Sequence, residues 1–251
     1  MKSRNKYELN LMRKSGLISA KALKKVLDNI RLGISGLELD RVAEKTITQL
    51  GGEASFKTVP QYHWTSCITI NEQVVHGIPT ERKINKGDLV SIDLGAVYKG
   101  WHTDCAWTVL VGKDGQEKRK FLQVGEQALW DGVEQAVDGK RIGDISSAIQ
   151  NRVESAGYFV VRALVGHGVG KSLHEEPEVP GYGSQGTGLK LKKGMSLAIE
   201  TIYAKGTSEV VLEKDGWTYS SADGSWAGLF EMTVIVGKER GEVLTDWRNI
   251  P

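Results

Sequence analysis

INKGDLVSID at residues 84–93 and LKKGMSLAIE at residues 191–200 are one phrase written twice. Each copy carries a lysine–glycine pair, an apolar run and a closing carboxylate, Asp93 in the first and Glu200 in the second. A lysine–glycine pair before such a run reads as a turn feeding a β-strand. The surroundings repeat as well. Apolar spacing predicts a helix over 6–31, with a break near Gly16, and a second in LELDRVAEKTITQLGG (37–52), stopped by its glycines. The second copy is preceded by the same pair, KFLQVGEQALWDGVEQAV (120–137) and GDISSAIQNRVESAGY (143–158). Strand-like runs follow each pair: SCITINEQVVHGI, DLVSIDLGAVY and HTDCAWTVLV, then MSLAIETIYA and FEMTVIVG. The order helix, helix, strands, twice over, predicts an α+β fold of two related halves, about 1–117 and 118–251. No flexible linker separates them, so the expectation is one fused domain over 1–251.

Bulk composition narrows the function classes. The 251 residues are 40% hydrophobic and 25% charged, with a net charge of +2. That balance predicts no specificity for nucleic acid and no membrane affinity from charge alone. The first residues, MKSRNKYELNLMRKSG, have no apolar stretch behind their positive charge, so no signal peptide is expected. Cys67 and Cys105 form no redox or metal spacing, and a reducing cytoplasm suits them.

The acids inside apolar runs need an explanation. Asp93 lies in VSID and Asp104 in WHTDCAWTV, and Val97–Gly100 between them reads as a hairpin turn. Folding there brings the two aspartates towards each other across a ladder. Glu200 in LAIETI and Glu231 in GLFEMTVIV are equally awkward. A single acid of this kind caps a turn or marks an edge; burying four without a cation is costly. With His167 they make four carboxylates and one imidazole, an inventory that balances two divalent cations and a water acidified between them.

GHGVGKSLHEEPEVP (166–180) admits three other readings, and each fails. A phosphate loop ending at Gly170 needs glycine at Val165, and Pro177 comes too soon for the helix that should follow. His174-Glu175-Glu176-Pro177 lacks the second histidine of a zincin, and the glycine spacing does not suit a dinucleotide fingerprint. What remains is a glycine-rich strand and turn presenting His167 and His174 to a cavity. In VVHGIPT (74–80), His76 precedes a Gly-Ile-Pro turn that would hold its orientation.

Taken in order, NEQVVHGIP, the Asp93/Asp104 pair, GHGVGKSLHEEPEVP, AIET and FEMTVIV resemble the type I methionine aminopeptidases over essentially the whole chain. The resemblance implies the pseudo-symmetric pita-bread α+β fold, a curved antiparallel sheet covered by helices. It implies metal ligation by Asp93, Asp104, His167, Glu200 and Glu231, and removal of initiator methionine before a small second residue. Glu200 would be the general base and acid, His174 would stabilise the oxyanion, and His76 would steady the scissile amide. The methionine pocket would be Phe56, Tyr62, Cys67, Leu173 and Trp217, soft surfaces suited to a thioether. The implied partners are peptide or nascent-chain N-termini beginning with methionine, with the ribosome as a candidate contact, for a monomeric enzyme. The two ions would be cobalt, manganese, iron or zinc.

The chain departs from that pattern at four places. Thr201 stands where proline is usual, Met232 where bacterial relatives have histidine, Leu173 where phenylalanine is common, and Leu32 where a proline often precedes the second helix. These changes bear on pocket shape and turnover. Only 25 residues lie between His174 and Glu200, and 201–230 is too short for the helical insertion of type II enzymes, so a compact bacterial-like enzyme is expected. Prolidases and X-Pro aminopeptidases share the metal ligands and give the alternative hydrolase. A non-catalytic binding protein on the same fold is the alternative outside enzymes.

Overall fold

In the computed structural model, which describes residues 3–112 and 115–250, both lysine–glycine pairs are turns. Gly87 takes φ +90° and Gly194 φ +86°, a region closed to most side chains. Residues 1, 2 and 251 of the domain expected over 1–251 lie outside the described residues, as do 113 and 114.

The helices among the described residues are α1 (Lys6–Leu27), α2 (Gly36–Gln49), α3 (Gln116–Val133) and α4 (Ile142–Ser155). Before α3 come strands β1 (Glu53–Ala54), β2 (Ser66–Ile70), β3 (Gln73–Val75), β4 (Leu89–Tyr98) and β5 (Trp101–Leu110). After α4 come β6 (Phe159–Val160), β7 (Gly166–Gly168), β8 (Glu175–Val179) and β9 (Ser196–Ala204). The last four are β10 (Val210–Leu212), β11 (Tyr219–Ser221), β12 (Ala227–Ile235) and β13 (Glu242–Val243). The main sheet runs β1-β4-β5-β12-β9-β7-β8, with β2 also on β4, β6 on β9 and β13 on β12. A small sheet, β10-β11-β3, stands beside it.

Local chemistry sets the helix limits. Asn5 and Glu8 form a capping box at the start of α1, and Ser35 and Glu38 repeat it at α2. Gly51 at φ +79° follows the end of α2, as its glycine stop predicted. The expected break at Gly16 does not occur: α1 runs unbroken through it. Gly16 is a contact residue instead, because a Cβ there would lie 2.5 Å from the Leu244 carbonyl oxygen. The run SCITINEQVVHGI is not one strand. Asn71, at φ +58°, turns it into β2, which joins the main sheet, and β3, which joins the small one.

The helices cover one face of the main sheet. α1 packs on β4 and β5, α3 on β9 and β12, with α2 against α1 and α4 against α3. The buried layer beneath them takes alternate strand residues, among them Ile92, Leu94, Cys105, Ile199, Phe230 and Met232. Ser15 and Ser19 of α1 bind the Ala96 backbone directly, at 2.8 Å to its carbonyl and 2.9 Å from its amide, pinning the helix to β4.

Tyr203 is the largest fully buried side chain, and its hydroxyl donates to the Phe121 carbonyl at 2.7 Å. A Cβ on Gly125 would lie 2.4 Å from its ring and hydroxyl. Alanine would gain about 1 kcal/mol of helix propensity at that position. Forcing a methyl into a full site costs about 1–3 kcal/mol, more than that gain, so Gly125→Ala is expected to destabilise the fold by up to about 2 kcal/mol net. Denaturant unfolding measures it, and a neutral or stabilised variant would contradict this packing. No helix among the described residues is long and apolar enough to cross a membrane.

Candidate metal centre

Strand register places the acids. Lys99 and Gly100, at φ +50° and +73°, close the β4–β5 hairpin, whose ladder pairs Asp93 with Ala106 and Gly95 with Asp104. Residue Ala106 pairs on its other side with Glu231 of β12, and Glu231 pairs with Glu200 of β9. On the outer side, Asp93 pairs with Cys67 of β2. Directly opposed residues share a face, as do residues two apart on one strand. Cys67, Asp93, Ala106, Glu231 and Glu200 therefore form one row across five strands, with Asp104 beside it on the same face. His167 joins them because β7 pairs it with Ala198, two residues before Glu200. The four acids and one histidine singled out by sequence, Asp93, Asp104, Glu200, Glu231 and His167, thus face away from the helices.

Between β5 and β12 the ladder is interrupted at both ends of this contact. The Thr233 hydroxyl accepts from the Asp104 amide and donates to its carbonyl, both at 2.8 Å. The Thr108 hydroxyl does the same for Leu229, at 2.9 and 2.8 Å. Each hydroxyl satisfies two backbone groups that direct pairing would have used, leaving Asp104 and Glu231 side by side without orphaned amides.

One ligand atom each from Asp104, His167 and Glu231 lies within 4.8 Å of the others. The His167 Nδ1 contacts the Gly168 carbonyl at 2.9 Å. A carbonyl only accepts, so Nδ1 carries the proton and Nε2 keeps its lone pair for a ligand. Asp93 and Asp104 lie close enough that the Asp104 charge, after burial, raises the Asp93 carboxyl. Burial is the first cause that raises every one of these carboxyl groups. Asp104 rises to about 7 and Glu200, with Asp104 beside it, to about 8. Asp93 and Glu231 go well above the usual carboxylate range. Asp93 Oδ1 and Glu231 Oε1 are buried with no hydrogen-bond partner. Unpartnered buried carboxylate oxygens beside a lone-pair-bearing imidazole fit a divalent cation.

The row opens into a cavity of about 540 Å³, and every site residue chosen from sequence lines it. The apolar end is a cluster of Phe56, Tyr62, Cys67 and Leu173, with Trp217 packed on it. Tyr62 meets Trp217 edge-on at 5.1 Å between centroids and donates from its hydroxyl to the Ser66 carbonyl at 2.8 Å. Burial, and then Asp93, push the Cys67 thiol well above its ordinary range, so it is an inert soft wall. His76 sits at φ +56°, a strained setting for a non-glycine residue. A Cβ on Gly77 would come within 2.4 Å of the Ile68 carbonyl oxygen, so this turn can only be closed by glycine. His174 approaches His167 edge-on at 4.5 Å between centroids.

The glycine loop does bind an anion, but its own. Glu175 Oε1 accepts from the Lys171 and Ser172 amides at 2.6 and 3.2 Å, where a phosphate loop would hold phosphate. The loop leads into strand β8 and no helix begins there.

Residues 10–236 match metallopeptidase family M24. The chain belongs to this family. Among its M24 relatives, a methionine aminopeptidase of Clostridium perfringens is 42% identical over 242 residues, 96% of this chain and 97% of that one. Methionine aminopeptidase 1 of Bacillus subtilis is 41% identical over 238 residues, 95% and 96% of the two chains. The crystal structure of the Thermotoga maritima methionine aminopeptidase superposes with a TM-score of 0.95 at 38% identity, covering 98% and 99%. The M24 pita-bread fold implied by the resemblance is the fold observed.

Against that M24 background the four departures separate. Thr201 and Met232 alternate with Glu200 and Glu231 and so face the helices; neither lines the cavity, contrary to the expectation that they shape it. Leu32 is exposed and is not among the residues that line the cavity. Leu173 alone touches it. Sequence reading missed Glu175, Glu176, Glu178 and Ile202 in the lining. Ile202 was accessible through its spacing of two from Glu200, and Glu178 only through its pairing with His167.

These raised carboxyl groups make a pH prediction for the metal-free protein. A carboxyl that holds its proton more tightly folded than unfolded loses stability for the native state as pH rises between the two values. For Asp104 and Glu200 that window closes at about 7 and about 8. Histidines with depressed values act oppositely, but only below their unfolded 6.5; His76 and His167 fall to about 4, through burial first. From about pH 6.5 to about pH 8 the acids therefore dominate. The metal-free thermal midpoint should fall across that interval, and a divalent cation should lift it again. A midpoint that rises with pH there would contradict the arrangement.

Proposed function

We propose that this chain is a metal-dependent aminopeptidase that removes the initiator methionine of new proteins, preferring a small second residue. The observation that carries the reading is the shared row: the metal-facing acids and the soft wall residue Cys67 sit in one register line, so a methionine side chain reaches the apolar end while its own carbonyl lies over the acids. The similarity to methionine aminopeptidases over nearly the full chain supports it.

In this reading Asp93, Asp104, His167, Glu200 and Glu231 hold two divalent ions, of cobalt, manganese, iron or zinc. When bound, such ions polarise a carbonyl and make water a nucleophile at neutral pH. The remaining chemistry belongs to the chain. Phe56, Tyr62, Leu173 and Trp217 take the thioether and exclude water from it. Glu200 accepts the proton of the attacking water and returns it to the leaving amine. His174, held neutral by burial, donates a hydrogen bond to the substrate carbonyl as charge develops there. His76, held neutral in the same way, steadies the scissile amide from its strained turn. The chain works as a single catalytic domain with halves at about 1–117 and 118–251. It acts as a cytoplasmic monomer on peptide or nascent-chain N-termini, with the ribosome as a contact.

Protein reconstituted with each of the four metals and offered Met-Gly-Met-Met and Xaa-Pro peptides provides the test. Release of methionine is expected from the first substrate. Preferred Xaa-Pro cleavage would transfer the chain to the X-Pro peptidases, and no cleavage with any metal would leave a binding protein on this fold.

A further inference from the structure

The anion held by the glycine loop has a partner from the far end of the chain. Arg4 reaches the loop from the segment before α1 and forms an ion pair with Glu175, both side chains largely buried. The Arg4 guanidinium also donates to the Val169 carbonyl at 3.4 Å and the Ser196 hydroxyl at 3.3 Å. Its own amide is tied to the Gly194 carbonyl at 2.9 Å. A Cβ on Gly170 would lie 2.2 Å from Arg4 Nη2, so the guanidinium fills the space where a loop side chain would stand. Beneath it lies the Trp101 ring, 5.2 Å from Arg4 Cζ and 4.4 Å from Lys171 Nζ.

We propose that Arg4 and Glu175 are positioning residues for His174. The stretch from Gly166 to His174 carries three glycines in its first five residues and has little intrinsic preference for one shape. Its conformation is set by contacts made onto it. Glu175, the next residue after His174, gathers the Lys171 and Ser172 amides on one carboxylate oxygen and Arg4 on the other. His102 adds a further tie, its amide donating to the Gly170 carbonyl at 2.7 Å. Loss of Arg4 leaves a largely buried carboxylate without its counter-charge, a costly state that the loop relieves by moving. Any such movement carries His174 with it. Arg4 also bonds Ser196, at the start of the strand that bears Glu200, so the segment before α1 fixes the spacing of loop and strand. Neither Arg4 nor Glu175 needs to touch the substrate for this, and the proposal rests on the oxyanion role given to His174 above.

The test is steady-state kinetics of the metal-loaded enzyme on Met-Gly-Met-Met, with metal affinity measured in parallel. Arg4→Ala and Glu175→Gln should each lower kcat by about tenfold, the scale of a sub-ångström misplacement, while KM and metal affinity change by less than about twofold. Arg4→Lys should recover part of the loss, since it keeps the charge but not the planar fork. Arg4→Met, which keeps the stem over Trp101, should behave like Arg4→Ala and guards against a packing defect. In the His174→Ala background, Arg4→Ala should add nothing further, because both changes act through the same imidazole. Hydrogen exchange at the Lys171 and Ser172 amides should speed up in Arg4→Ala. If His174→Ala is slow but Arg4→Ala is as fast as wild type, or slows the His174→Ala enzyme by the same factor, the positioning role is wrong. If His174→Ala itself turns over normally, the failure lies in the oxyanion assignment.

Discussion

Glu231→Gln is expected to abolish turnover, by at least about a thousand-fold, while making the metal-free protein more stable. Groups that act as one unit fail together, so losing one shared ligand should remove most of what the centre supplies. The stability change has the opposite sign. Glu231 is buried, its Oε1 has no partner, and burial raises it well above the usual carboxylate range. An amide of the same shape carries no charge to desolvate and no proton to be taken up on folding. The metal-free thermal midpoint near neutral pH should therefore rise, and the further rise on adding a divalent cation should shrink or vanish. A variant that kept the cation-induced rise would show that Glu231 is no ligand. The pairing of higher stability with lost activity is the signature of a residue kept for chemistry.

Glu200→Gln should lower kcat by at least about a thousand-fold, since it removes a shared ligand and the general base together. Glu200 is half-buried at the cavity, and burial with Asp104 beside it lifts its carboxyl to about 8 in the metal-free chain. Its strand neighbours Ile199 and Thr201 face the helices, so the substitution alters the cavity side alone. Glu200→Asp tests placement separately from charge: the shorter acid keeps the charge and moves it back by one methylene. If kcat follows the base role, Asp should retain more activity than Gln. Equal activity of Gln and wild type would remove Glu200 from the mechanism.

Much of the site was legible because it depends on short-range alternation. The paired phrases at 84–93 and 191–200 each put a carboxylate at the fifth residue of a strand, Asp93 in β4 and Glu200 in β9. The Val97–Gly100 turn fixed the β4–β5 register, and with it the nearness of Asp93 and Asp104. Where expectation failed, a distant contact had overruled a local signal. Gly16 looked like a helix break and is a contact point for Leu244. The run from Ser66 to Ile78 looked like one strand, but its two parts find partners in different sheets. Thr201 and Met232 looked like pocket changes, yet alternation turns them towards the helices.

The repeat and the acids inside apolar runs gave the fold class and the acids and histidines of the centre. The soft residues of the pocket came only through the family resemblance. Period-two alternation and glycine turns are properties of a few neighbouring residues, so they can be read along the chain. Tertiary structure decided which strands meet. Ala106 pairing with Glu231 converts two separate acid pairs into one row, and no residue near either position encodes that partner. The same holds for the glycine loop. Glu175 lies only a few residues from the Lys171 and Ser172 amides it accepts from, but only the folded chain could bring Arg4 to that carboxylate, because charge acts through space rather than along the sequence.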